Sequence, residues 1–170
     1  MDLVHLHLML NHVPILGVAF GLAIGTIGLL SRSKGVIRIG LGVLAFSAIV
    51  AVPVYLTGEP AEELAEGLPG VSEGIIGQHE SAATISFALT GVSGALAAIT
   101  LLFWRSLTSK LPTFLVTGTL LVTALTMASM VRTANLGGQI RHTEIRAAAG
   151  GTATEGKTSE RKNTERDDDD

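Results

Sequence analysis

The sequence predicts an all-α protein: an integral membrane four-helix up-down bundle with a short helical acidic loop between spans 2 and 3. Three observations predict it. Hydrophobic residues make up 47% of the 170-residue chain and charged residues only 16%, where a soluble domain carries roughly a quarter. The apolar residues gather into four Leu/Val/Ala/Gly-rich stretches, each close to the ~20 residues a helix needs to cross a bilayer. The connectors after the first and third stretches are so short that they force antiparallel neighbours.

The first span covers residues 8–30. The "MDLVHLHL" before it lacks the basic region of a cleavable signal peptide, so the segment is expected to be retained. Gly17, Gly21 and Gly25 repeat every four residues within it, with Gly28 close behind. Small residues at that spacing let helices approach closely in lipid; alternatively they make room for a flat cofactor. Gly40, Gly42, Gly91 and Gly94 admit the same two readings. After the basic connector "SRSKGVIR" the second span covers 39–56. The loop "TGEPAEELAEGLPGVSEGIIGQHE" follows. Glu59 as N-cap with Pro60 at the first helical position predicts a short helix, and Ser72 can cap a second, the two forming a lid. The third span covers 81–104, and "RSLTSKLP" leads to the fourth at 111–131. These spans form one domain over 1–146. The tail at 147–170 has no apolar periodicity, ends in four aspartates and is expected to be disordered.

Charge then sorts the loops. The basic connectors carry Arg32, Lys34, Arg38, Arg105 and Lys110 without an acid, whereas the acidic loop carries Glu59, Glu62, Glu63, Glu66 and Glu73 without a base. The positive-inside rule puts the connectors in the cytoplasm. The expectation is a multi-pass protein of the inner (cytoplasmic) membrane with both termini and the acidic loop outside. Arg132, Arg141 and Arg146 run against that rule.

All five histidines fall at the end of the bundle that holds the acidic loop. Ionisable groups in or near spans are costly and usually face a bundle interior or a water-filled cavity. His12, His79 and His142, from three chain segments, are the candidate ligands. Glu59, Glu63 or Glu80 can complete the shell or orient it from outside. His5 and His12 lie seven apart and share a helical face, from which His7 points away. Pro14 frees the carbonyl of Leu10 beside His12. Gly137 and Gly138 are expected to break the last helix and fold His142 back. The plain alternatives are interfacial histidines and a solvated acidic face.

The blocks "HLMLNHVPI", "NHVPILG", "YLTGEPAEE", "LPGVSE", "QHE" and "NLGGQIRHTEI" resemble motifs of small four-span bacterial membrane proteins. These carry a domain of unknown function and a His-x4-His-x-Pro-Ile first helix, as in Bacteroidetes-type genomes. Leu8 stands where that family usually has proline. The resemblance covers residues 5–146. It implies the four-span architecture and polar blocks that form one site.

Cysteine is absent, which excludes disulfides, thiolate zinc sites, iron–sulfur clusters and covalent c-type haem. It leaves histidine-ligated metal and b-type haem. The first functional expectation is haem b for electron transfer, held by His12 with His79 or His142, with Arg132 or Arg141 neutralising the propionates. Its partners would be the lipid bilayer and other membrane or periplasmic redox proteins; no nucleic-acid partner is expected. The second is a non-haem iron or zinc site on His12, His79, His142, Glu59 and Glu63. The third is an accessory structural subunit of a membrane complex, with no cofactor.

Overall fold

A computed structural model describes residues 2–104 and 111–142. Among them are six helices: α1 (Leu3–Leu10), α2 (His12–Leu30), α3 (Lys34–Leu56), α4 (Gly58–Glu66), α5 (Glu73–Leu102) and α6 (Leu111–Arg141). Only Asn11 separates α1 from α2, and it keeps right-handed helical angles, so the two run on as one apolar segment. That segment, α3, α5 and α6 are each long and apolar enough to cross a membrane. Helix α2 packs on α3, α3 on α5, α5 on α6 and α6 back on α2, which closes the four-helix bundle the sequence predicts. The connector residues Arg105 and Lys110, Arg146 and the tail at 147–170 lie outside the described residues.

The packing is inside out compared with a soluble protein. Phe20, Phe46, Ile49, Ile85, Leu121 and Leu125 are exposed, whereas Ser47, Ser86, Thr90, Ser93, Thr119, Thr123 and Thr126 are buried. Lipid tails are as apolar as leucine, so burying large side chains gains little there. Small residues that bring backbones together and hydroxyls that find partners gain more. The buried positions 86, 90, 93, 97 and 100 of α5 step by four and three, as do 119, 123, 126 and 130 of α6. Most of these hydroxyls bond a carbonyl one turn back, as Thr90 does to Ser86 O at 2.6 Å. Others cross the seam: Ser93 to Thr126 at 2.7 Å, and Ser86 to both Ser129 and Thr133 at 2.8 Å. Thr126→Val removes one such crossing and should lower stability by about 1 kcal/mol in a detergent melt. Thr117→Val, on the exposed surface, should stay within about 0.5 kcal/mol of wild type.

The two ends differ. Toward the α2–α3 connector, Ile37, Leu41, Leu44, Ala97, Val116 and Leu120 form an apolar core, with Leu29, Leu101 and Trp104 packed against it. The opposite end holds the histidines and α4, which lies against α1 and the end of α3.

Three local expectations change. Helix α4 starts at Gly58 with Thr57 as its N-cap, so Glu59 stands in its first turn. Ser72 stands at the N-cap position of a helix, its carbonyl accepting from the N–H groups of Ile75 and Ile76, but its side chain makes no cap hydrogen bond. That helix is α5 itself, which begins well before residue 81 and carries His79 and Glu80 in its second turn. The lid is therefore α4 alone. Last, α6 continues through Gly137 and Gly138 to Arg141. Two glycines weaken a helix by roughly 1 kcal/mol each, but a neighbouring ring occupies the space at Gly137, as described next.

Candidate functional site

The inward face of the first span reads His7, Asn11, Pro14, Val18, Gly21, Gly25 and Gly28, in steps of four and three. The last five are buried, and the same periodicity carried toward the N-terminus puts His7 on the inner face. His5 and His12 do share a face, but it is the outer one, and both are exposed.

His7 is half-buried and its Nδ1 bonds Val54 O at 3.0 Å, with Thr57 Oγ1 at 3.3 Å. The reason lies in α3. The last carbonyls of a helix lack helical donors. Thr57 satisfies Pro53 O through its N–H at 3.1 Å and its hydroxyl at 2.7 Å, and His7 serves the next carbonyl. His79 mirrors this on the other side of the mouth: half-buried, its Nδ1 donates to Thr133 O of α6 at 3.0 Å. A Cβ on Gly137 would lie 3.0 Å from the Cε1 of that ring, so the missing side chain is what admits the imidazole. A carbonyl only accepts, so each neutral ring carries its proton on Nδ1 and keeps a lone pair on Nε2. An imidazole fixed through Nδ1–H to a main-chain carbonyl is how proteins commonly orient a metal-ligating histidine.

The other expected residues stand apart from this pair. His142 follows α6, exposed, with its N–H bonded to Gly138 O at 3.0 Å. Glu59, Glu63 and Arg132 are exposed, and the side chain of Arg141 lies outside the described residues. The structure does not gather His12, His79, His142, Glu59 and Glu63 into one group. Among the described residues, no three His, Asp or Glu side chains are placed to hold a metal ion. Below the mouth, Tyr55 stacks on Phe87 with ring centroids 4.3 Å apart and bonds Thr84 at 3.2 Å, tying α3 to α5.

Glu62, rather than Glu59 or Glu63, is the carboxylate that the lid turns inward. Burial pushes its pKa up to about 6, and the charges of Glu80, Glu66 and Glu59 add to the effect. A raised carboxyl pKa means that folding favours the protonated form. Its contribution is full below the ordinary value of 4.5 and is lost as pH rises through about 6. For a half-exposed group this amounts to roughly 1 kcal/mol after screening. Amide exchange of residues 58–66, corrected for intrinsic rates, should therefore speed up between pH 5 and pH 7.5. Glu62→Gln should remove that dependence; an unchanged pH response in the variant would assign it to another group.

Fold and site together define a class: a four-span helical bundle with an anchored histidine pair at one mouth. No protein-family model, curated protein or solved structure matches the chain.

Proposed function

We propose that this multi-pass protein of the inner membrane binds b-type haem between His7 and His79 and uses it for electron transfer at the outer face. The observation that carries the reading is the pair itself: two imidazoles from different helices, each anchored through Nδ1, with Nε2 left to ligate. A b-type haem asks for two such donors and no cysteine. A non-haem zinc or iron centre asks for three or more, which favours haem on the donor set present.

When bound, haem supplies one-electron chemistry. The chain's part is to hold and polarise its ligands. The carbonyls of Val54 and Thr133 fix the ring planes, and a hydrogen bond from Nδ1–H raises the basicity of Nε2. Arg132 and Arg141, near the outer end of α6, bring positive charge for the propionates. The basic residues of the short connectors at one end and the acidic α4 at the other support this sidedness. Partner redox proteins would then dock from the membrane or the periplasm.

An optical spectrum of the detergent-purified protein, oxidised and then dithionite-reduced, tests the reading alongside elemental analysis. A Soret band that sharpens on reduction, with one iron per chain, is the expected result. A featureless spectrum with stoichiometric zinc or iron would replace haem by a non-haem site. A folded sample with neither colour nor metal would leave an accessory subunit of a larger membrane complex.

A further inference from the structure

The first span carries a polar feature that the histidine pair does not use. Asn11 lies between α1 and α2, one turn beyond His7 on the inward face, and its Oδ1 is buried without a hydrogen-bond partner. Among the described residues it is the one buried side-chain polar atom in that condition. The contrast is with the rest of the interior, where Ser47, Ser86, Thr90, Ser93 and Thr123 are all bonded. Beside Asn11, Pro14 has no N–H to offer the carbonyl of Leu10, so the same break releases a main-chain acceptor. An unmet buried acceptor costs roughly 1–3 kcal/mol.

Both groups accept and neither donates, so what satisfies them is a donor. Residues 3–30 contain no Asp or Glu, the ligands a hard cation would favour; a neutral donor suits the site better. We infer that the break in the first span is a binding site for a hydroxyl donor from outside the chain, held by Asn11 Oδ1. Two sources share that chemistry: an ordered water entering from the outer mouth, and the hydroxyl of a lipid-soluble molecule of the hydroquinone class. The site stands independently of whether His7 and His79 ligate haem.

Isotope-edited infrared spectroscopy on the full chain tests it. With 13C-asparagine incorporated, the difference between wild type and Asn11→Leu isolates the Asn11 carbonyl from those of Asn135 and Asn163. The expected stretch is shifted to lower frequency than a free amide. A stretch already lowered in the purified protein, with nothing added, identifies water. A shift on adding 2,6-dimethylbenzohydroquinone, with a rise in the melting midpoint that Asn11→Leu lacks, identifies the lipid-soluble hydroxyl. A free-carbonyl frequency that the hydroquinone leaves unchanged overturns the inference. Should Asn11→Leu fail to fold, the Asn135→Gln/Asn163→Gln double variant leaves Asn11 as the sole labelled asparagine and gives the same reading.

Discussion

Replacing either His7 or His79 by alanine is expected to abolish the Soret band, while His12→Ala and His142→Ala retain it. The expectation follows from anchorage rather than from proximity to the chain's polar blocks. His7 and His79 are each half-buried and held by a carbonyl of a neighbouring helix, whereas His12 and His142 are exposed and would have to give up hydration to ligate. Gly137→Ala provides the graded version. Its Cβ would come within 3.0 Å of Cε1 and 3.3 Å of Nδ1 of His79, so the ring must give by a few tenths of an ångström and its bond to Thr133 O is strained. Loss of such an orienting contact typically weakens metal binding by about 10–100-fold. Thr57→Val should do less, because Val54 O still anchors His7. A normal spectrum in His7→Ala, with the protein shown to be folded, would sink the pair; a spectrum lost only in His12→Ala would return the site to the outer face.

The second large effect concerns the α2–α3 seam. Gly40→Ala is expected to destabilise the bundle by about 3 kcal/mol, at the upper end of overpacking costs. A Cβ there would lie 2.6 Å from Gly25 N, 2.8 Å from Gly25 Cα and 3.0 Å from Gly21 O. All three are backbone atoms, so no rotamer change can relieve the clash and the helices must separate. Gly42→Ala is the matched control: nothing lies within 4 Å of its Cβ position. Replacing a helical glycine there should stabilise by up to about 1 kcal/mol. Melting midpoints of the two variants in the same detergent should thus move in opposite directions. Equal shifts would mean that the seam tolerates a methyl group and that close backbone approach does not hold these helices together.

The same comparison separates the two readings the glycines admitted. Gly21, Gly25, Gly28 and Gly40 press against backbone or side chains of facing helices, and Gly94 presses against Ala48. Gly91 and Gly42 meet nothing within 4 Å. The close spacing in the first span was legible because helix period and residue size are both local properties. Which of the later glycines joined a seam was not, because that depends on the rotation of one helix against another.

Composition and charge pattern determined the four apolar helices, their antiparallel order, the acidic helix between the second and third spans, and the gathering of every histidine at one end. These follow from hydropathy, helix period and connector length, and they need no knowledge of packing. Only the tertiary structure decided which histidines face inward. His5 and His12 share a face as their spacing requires, yet the face turned into the bundle is the one bearing His7, Asn11 and the buried glycines. Likewise Gly137 reads as a helix breaker in isolation and serves as the space for His79 once α5 is beside it. The hydroxyl seam of α5 and α6 was written in the sequence at steps of four and three, but the spans' overall hydrophobicity masked it. In lipid the inward face is marked by small and polar residues rather than by large apolar ones, since the bilayer already receives leucine and phenylalanine on the outside.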